Sequence, residues 1–126
     1  MAKILVIDDT GIMRNLLSEF LTEEGHEVDT AINGDDGIAK ALSGDYAIIF
    51  CDLHMPKKNG FQVYERVSEI RPEQRFVFTD SMPDAHSERL AQTGKFHILR
   101  KPFDLEQLRQ VLAELVHSTI RYGSNH

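Results

Sequence analysis

The stretch that decides the fold spans residues 46–56 and reads YAIIFCDLHMP. Its apolar run, residues 47–51, ends abruptly in a carboxylate, Asp52, and a turn follows at Pro56. A strand that is buried on both faces has such a continuous apolar run, which is typical of a parallel sheet covered by helices. Open α/β sheets bind their ligands at the carboxyl ends of the strands. The stretch therefore predicts a central buried strand with a functional carboxylate at its end.

Four more segments have the character of strands. Residues 3–7 and 76–78 are short apolar runs closed by polar residues, and residues 96–99 carry three apolar side chains. Residues 26–32 alternate β-branched apolar or hydroxyl side chains with mostly polar ones, which predicts a less buried strand near an edge of the sheet.

Apolar side chains recur at helical spacing between these strands and after the last one. The predicted helices lie near residues 12–24, 38–43, 61–70, 84–93 and 105–116. Gly25 and Gly44 end the first two helices, and Pro72 stops the third. The fourth has few apolar positions, so we expect it to be short and weakly anchored. We interpret Asn33 and Gly34 as a turn, and residues 119–126 as a frayed tail.

Five strands that alternate with five helices predict an α/β fold with a doubly wound parallel sheet. Each crossover between parallel strands is right-handed, so the helices cover both faces. The length of 126 residues fits one domain, with a core at about residues 3–117 and a C-terminal tail at residues 118–126.

Composition and charge exclude several classes of function. The net charge of −6 argues against nucleic-acid binding by bulk electrostatics, because there is no basic surplus to displace counterions. Cys51 is the single cysteine, so an intrachain disulfide is excluded and the cytoplasm is the expected compartment. Its apolar neighbours indicate a packing role. The apolar run at the N-terminus is too short for a signal peptide or a membrane span, and we expect no membrane association.

The carboxyl ends of parallel strands share one edge of the sheet, so the residues just after the strands are predicted neighbours. They are Asp8, Asp9, Asn33, Asp52, Thr79, Asp80 and Lys101. Carboxylates this close repel one another unless a cation lies among them. An oxygen-rich, hydrated site suits Mg²⁺. Asp is a known nucleophile in aspartyl-phosphate chemistry, and a phosphoryl group on Asp52 could pair with Lys101 and accept a hydrogen bond from Thr79.

These residues resemble the signature of the receiver domains of two-component response regulators. The matching motifs are Asp8-Asp9 after the first strand, CDLHMP around Asp52 with Gly60 behind it, Thr79, and Lys101-Pro102-Phe103. The resemblance covers about residues 3–117. It implies a flavodoxin-like fold with strand order 2-1-3-4-5. It also implies that Asp52 takes a phosphoryl group from a histidine kinase or a histidine phosphotransfer protein.

The same resemblance assigns the metal ligands. Asp9 and Asp52 would bind Mg²⁺ directly, Asp8 mostly through water, and His54 through its backbone carbonyl. Each residue also has a plainer interpretation: Asp8 and Asp9 could cap the first helix, Thr79 could be an ordinary strand residue, and Lys101 could be a solvated surface lysine. A buried apolar run that ends in an unpartnered Asp52 would be costly, which favours the functional interpretation.

Three positions modulate this expectation. The His54 side chain is an unsuitable ligand for a hard cation, but the family places this position beside the phosphoryl group, where it influences the rate of hydrolysis. After Thr79 the family usually has Ala or Gly. Here Asp80 adds a carboxylate that we expect at the rim of the site, where it would slow phosphorylation by small donors. Ile98 replaces the aromatic residue that usually moves inward with the threonine, so we expect a different or muted conformational signal.

The function predicted from the sequence is that of a signalling module and not of an enzyme acting on external substrates. It would bind an unknown downstream protein, or a second copy of itself, through the fourth helix, fifth strand and fifth helix. No DNA-binding helix-turn-helix follows Val116, so we expect no direct nucleic-acid binding. A degenerate receiver that is never phosphorylated remains an alternative. An Asp-nucleophile phosphohydrolase is disfavoured because His54 stands where a second acid is needed, and a flavin-binding module is disfavoured by Asp8 and Asp9.

Overall fold

The computed structural model describes the backbone of residues 2–124 and the side chains of residues 2–115. Strands and helices alternate along the described residues. They are β1 (Lys3–Ile7), α1 (Gly11–Glu23), β2 (Glu27–Ala31), α2 (Gly34–Ser43), β3 (Ile48–Asp52), α3 (Gly60–Ile70), β4 (Arg75–Asp80), α4 (Ala85–Gln92), β5 (His97–Arg100) and α5 (Leu105–Ser124).

All five strands described are parallel, in the order β2-β1-β3-β4-β5. This confirms the predicted flavodoxin-like α/β fold and places β2 at an edge. In the register, Ile7 pairs with Cys51, and Asp52 pairs with Thr79. The ends of β1, β3 and β4 therefore lie side by side at one edge of the sheet.

The apolar runs of the central strands are continuous because both faces of the sheet are covered. Successive side chains point to opposite faces. One face of the sheet packs against α1 and α5, through residues such as Ile4, Phe50, Val77, Leu99 and Leu108. The other packs against α2, α3 and α4, through residues such as Ile7, Cys51, Phe78, Val63 and Leu90. We call these the α1/α5 face and the α2–α4 face.

The structure differs from the sequence predictions at three places. Asn33 is the N-cap of α2, and its side chain accepts a hydrogen bond from the Asp36 backbone N–H. The helix thus starts earlier than its apolar positions indicate, because capping replaces the predicted turn. At the end of β2, Ala31 is buried and Ile32 is 56% exposed, the reverse of the expected pattern.

The third difference is α5, which continues to Ser124 and does not end near Val116. Residues 119–124 are therefore helical, whereas a frayed tail was expected; Asn125 and His126 lie outside the described residues. The short α4 agrees with its prediction, since it buries only Ser87 and Leu90. Within residues 2–124, no helix combines the length and the apolar character that crossing a membrane requires.

Candidate functional site

Side chains along each strand alternate between the two faces of the sheet, and this alternation decides which polar residues meet at its carboxyl edge. Asp52 and Thr79 have the same parity as Phe50 and Val77, so they belong to the α1/α5 side of the sheet edge. Asp8 continues the parity of Val6, and Lys101 that of Leu99. The sequence thus brings two carboxylates, a hydroxyl and an ammonium to one side of the edge, as predicted.

Asp8, Asp9 and Asp52 form a carboxylate cluster in which one oxygen of each lies within 4.8 Å of the others. Asp8 and Asp52 are buried, with 1% and 3% of their surface exposed, whereas Asp9 is exposed. Such a group of hard oxygen ligands, open to water on one side, suits Mg²⁺. Three of the predicted ligands, the carboxylates of Asp8, Asp9 and Asp52, are therefore brought together, and their donor atoms suit the cation.

Lys101 compensates part of this negative charge. Its Nζ lies 3.1 Å from Oδ2 of Asp8 and 3.5 Å from Oδ2 of Asp52. Burial nevertheless raises the pKa of Asp52 above its usual value; the backbone N–H of His54, at 3.1 Å from Oδ1, and Lys101 oppose the shift, whereas Asp8 and Asp9 add to it. Asp52 is therefore a carboxylate whose negative charge is held at a cost in a partly dehydrated site.

Thr79 is buried, with 1% of its surface exposed, and its hydroxyl has no hydrogen-bond partner among the described residues. It is fixed beside Asp52 by strand pairing, since the Leu53 N–H donates to the Thr79 carbonyl at 2.8 Å. Buried polar atoms are almost always hydrogen-bonded in folded proteins. The Thr79 hydroxyl is therefore available to donate a hydrogen bond to a group bound at the carboxylate cluster.

Two site residues were missed in the sequence analysis because they act on Asp8. Thr10 donates to Oδ1 of Asp8 from both its backbone N–H, at 2.9 Å, and its hydroxyl, at 2.8 Å. Arg14 donates to the Asp8 carbonyl at 2.7 Å. The helical spacing of Arg14 from Thr10 was the available signal, because residues four apart lie on one side of a helix. Thr10 thus orients the buried carboxylate of Asp8, and Arg14 fixes its backbone.

Gly60 allows the chain to pack closely behind Asp52. A Cβ at this position would lie 2.5 Å from the carbonyl oxygen of Asp52 and 3.0 Å from its carbonyl carbon. The N-terminus of α3 therefore packs directly against the end of β3, which only glycine permits.

Asp80 is not at the rim of the site, which corrects our expectation. It has the opposite parity to Thr79, belongs to the α2–α4 side of the sheet edge, and is 0% exposed. Its Oδ1 lies 2.8 Å from Nε2 of His54, although the ring N–H is not aligned with that oxygen and makes no hydrogen bond within the part of the chain described. Direct repulsion of a phosphoryl donor by an exposed Asp80 is thus excluded.

Ile98 is partly buried on the α2–α4 face, where Phe96 also lies. Phe96 packs edge-on against Tyr64, with ring centroids 4.9 Å apart, and also contacts Phe61 and Phe78. The His86 ring of α4 meets Phe61 at 5.6 Å. These aromatic contacts connect α3 directly to α4 through His86, and to the segment before β5 through Phe96.

An open cleft of about 500 Å³ leads to Asp52. The residues that line it are Asp9, Thr10, Ile12, Met13, Asp52, His54, Ser81, Met82 and Lys101. The cleft gives water and small solutes access to the carboxylate cluster from outside.

The comparisons with known proteins agree with this geometry. The model of the response regulator receiver domain matches residues 4–113. The transcriptional regulatory protein ResD of Bacillus subtilis is 35% identical over 101 residues, which are 80% of this chain and 42% of ResD. The DNA-binding transcriptional regulator NtrC of Azospirillum brasilense is 33% identical over 118 residues, which are 93% of this chain and 24% of NtrC. The chain thus spans less than half the length of these relatives.

Solved structures show the same fold. The chemotaxis protein CheY4 of Vibrio cholerae superposes with a TM-score of 0.82 at 27% identity, over 91% of this chain and 98% of its own. The response regulator TrrA of Thermotoga maritima, solved in complex with Mg²⁺ and BeF, gives a TM-score of 0.81 at 30% identity, over 91% and 99%. The acidic cluster, the lysine and the threonine at the end of such a sheet therefore identify this chain as a member of the response regulator receiver domains of two-component systems.

Proposed function

We propose that Asp52 accepts a phosphoryl group from the phosphohistidine of a histidine kinase or of a histidine phosphotransfer protein. Receiver domains of this family receive phosphoryl groups from histidine kinases and bind Mg²⁺ at an acidic pocket. The observation that carries the proposal is the buried hydroxyl of Thr79, which has no hydrogen-bond partner among the side chains and backbone described and lies beside the cluster of Asp8, Asp9 and Asp52. A phosphoryl group on Asp52 is the acceptor that this hydroxyl lacks.

In the transfer, an oxygen of Asp52 attacks phosphorus, the bond from phosphorus to the donor imidazole nitrogen breaks, and the imidazole leaves with the electron pair. The raised pKa of Asp52 reflects a carboxylate that is poorly solvated, which makes it a better nucleophile than an exposed one. Lys101 pairs with a phosphoryl oxygen, and Thr79 donates to another. We assign the metal to Asp9, Asp52 and the His54 carbonyl, with Asp8 acting through water; Mg²⁺ would neutralise phosphoryl charge.

The output would be a shift in population of the surface formed by α4, β5 and α5. When Thr79 moves toward the phosphoryl group, the end of β4 and the loop to α4 follow. Ile98 cannot act as an aromatic switch, so the movement would pass through the aromatic contacts of Phe96 with Tyr64 and Phe61. The receptor of this signal is a downstream protein, or a second copy of this chain, and we propose a cytoplasmic setting in which the chain performs no reaction beyond its own phosphorylation and dephosphorylation.

A second candidate is a degenerate receiver that binds partners without phosphorylation. It is favoured by the aliphatic residue Ile98 in place of an aromatic one. It would leave the complete set of Asp8, Asp9, Asp52 and Lys101 without a function, so we rank it second.

Intact-mass measurement after incubation with acetyl phosphate and Mg²⁺ separates the two candidates. Wild-type protein should gain the mass of one phosphoryl group, whereas Asp52→Asn should gain none, because its side chain is no nucleophile. Asp29→Asn serves as a matched control, since Asp29 lies in β2 and bonds to Tyr46, and it should be phosphorylated like wild type. Failure of wild-type protein to gain mass, even with a histidine kinase as donor, would leave the degenerate receiver.

A further inference from the structure

Asp80 is a buried carboxylate that has no role in the proposed phosphoryl transfer. It is 0% exposed, and it is absent from the described residues that line the Asp52 cleft. One of its oxygens, Oδ2, has no hydrogen-bond partner within the described chain. An incompletely paired buried carboxylate costs stability, so its surroundings are the place to look for a role.

The other oxygen of Asp80 joins two loops. Oδ1 lies 2.8 Å from Nε2 of His54, in the loop after β3, and accepts a hydrogen bond from the backbone N–H of Met82 at 3.1 Å, in the loop after β4. The backbone is fixed on the third side, because the Lys101 N–H donates to the Asp80 carbonyl at 2.7 Å. Asp80 is therefore the point at which His54 and Met82 are held together.

His54 and Met82 also share a position between two clefts. Both line the Asp52 cleft, and both line a neighbouring cleft of about 510 Å³ whose other lining residues are Leu53, Met55, Pro56, Asn59, Asp84 and His86. The two side chains thus separate the clefts, and we call them the partition. The His54 side chain is 21% exposed and Met82 is 62% exposed, and Asp80 contacts the ring of the first and the backbone of the second.

We propose that Asp80 is a positioning residue, which holds the His54 ring and the backbone of Met82 in place and thereby limits the access of small phosphodonors and of water to Asp52. The inference rests on the proposed function of Asp52. Acetyl phosphate delivers its phosphoryl group with loss of acetate, and water later attacks phosphorus and releases inorganic phosphate and the Asp52 carboxylate. Both reagents have to enter through the cleft that the partition narrows. Without Asp80, the His54 ring is free to turn toward the neighbouring cleft.

The first measurement concerns position alone and needs no phosphorylation. Diethyl pyrocarbonate modifies accessible imidazoles, and peptide mapping gives the rate at His54. We expect this rate to rise by about fivefold or more in Asp80→Ala, equivalent to about 1 kcal/mol at 25 °C. Asp80→Asn keeps an acceptor for the Met82 N–H but removes the charge beside His54, so its rate should lie between those of wild type and Asp80→Ala. The rate at His26, whose Nδ1 accepts from the Ala2 N–H, reports any general unfolding and should stay constant.

The second measurement concerns the reaction. Phosphorylation by acetyl phosphate and hydrolysis of phosphorylated Asp52 should both be about fivefold faster in Asp80→Ala and in His54→Ala, and the double variant should be no faster than either. This non-additivity is the mark of one side chain acting through another, and a general loss of stability would not produce it. The Asp80→Asn rates should again lie between those of wild type and Asp80→Ala.

The outcomes separate this inference from the proposed function. If wild-type protein accepts no phosphoryl group, the proposed function fails, and the rate of His54 modification still decides whether Asp80 positions the ring. Suppose that the protein is phosphorylated. If the effects of Asp80→Ala and His54→Ala on the rates are additive, if either substitution slows the reactions, or if Asp80→Ala leaves the rate of His54 modification unchanged, then Asp80 does not act through His54. If Asp80→Ala does not fold, His54→Ala alone must accelerate both reactions, and the inference is rejected if it does not.

Discussion

Replacing Thr79 by valine should stabilise the unphosphorylated protein. The Thr79 hydroxyl is buried and has no partner in the described part of the structure, and leaving such a group unpaired costs about 1–3 kcal/mol. Valine has nearly the same shape and replaces the hydroxyl by a methyl group whose burial is favourable. We therefore expect Thr79→Val to raise the free energy of unfolding by about 1–2 kcal/mol, which corresponds to a rise of about 5 °C in Tm for a domain of this size.

Thermal and urea unfolding without Mg²⁺, followed by circular dichroism, measure this effect. Thr93→Val is the control for a hydroxyl that has a partner, because the hydroxyl of the exposed Thr93 donates to the Leu90 carbonyl at 2.7 Å. This satisfied hydrogen bond is lost on substitution, so the control should lose about 1 kcal/mol. If Thr79→Val is no more stable than wild type, the hydroxyl is not an unpaired buried donor, and our reasoning about it is wrong.

The same variant tests the role of the hydroxyl after phosphorylation. A phosphoryl group on Asp52 gives wild-type Thr79 an acceptor, and valine cannot use it. Phosphorylation in the presence of Mg²⁺ should therefore raise the Tm of wild type more than that of Thr79→Val, and reduce the advantage of the variant. Equal increments would show that Thr79 does not bond to the phosphoryl group.

Three further predictions concern the site and its support. Asp52→Asn should raise the free energy of unfolding at neutral pH without Mg²⁺, because burial raises the pKa of Asp52 and the folded state therefore favours the protonated carboxyl. The advantage of the variant over wild type should fade as pH falls through that raised pKa. An advantage that grows toward low pH would contradict this. Gly60→Ala should lose about 1–3 kcal/mol in urea unfolding, because its Cβ would meet the Asp52 carbonyl at 2.5 Å, while Gly11→Ala, whose Cβ would meet only the Arg14 side chain at 3.5 Å, should be nearly neutral. Burial and the hydrogen bond to Asp29 raise the pKa of Tyr46 to about 12. The phenol therefore stabilises the fold fully below its ordinary pKa of 10.0, and this contribution is lost as pH rises from 10.0 to about 12. Tyr46→Phe should abolish that part of the alkaline loss of stability, and an unchanged profile of stability against pH would contradict the prediction.

The parts of the fold that could be predicted are those set by local patterns. The apolar run before Asp52 and the one at residues 3–7 predict buried parallel strands because both faces of the sheet are covered. The short α4 could be expected because it has few apolar positions to bury. Asn33 was interpreted as a turn residue because an N-cap and a turn use the same side chain. The end of α5 was placed too early because the apolar pattern weakens before the helix ends.

The site could be predicted as a set of residues, but its finer arrangement depends on tertiary contacts. Arg14 and Thr10 were overlooked because their roles lie in bonds to Asp8; their spacing indicates that they lie on one side of the helix, but it does not identify Asp8 as their partner. The raised pKa of Asp52 likewise follows from burial balanced against Lys101, which no sequence pattern quantifies. Distances and exposure, and not residue types, decide these features.

Asp80 shows where strand periodicity should have been carried one residue further. Thr79 and Asp80 are neighbours in β4, and side chains one residue apart in a strand point to opposite faces. The parity that assigns Thr79 to Asp52 therefore assigns Asp80 to the α2–α4 side, where His54 meets it at 2.8 Å. A residue next to a site residue in a strand thus acts on the site only through a third group. We therefore attribute the influence proposed for Asp80 to the position of His54, and not to a charge at the mouth of the cleft.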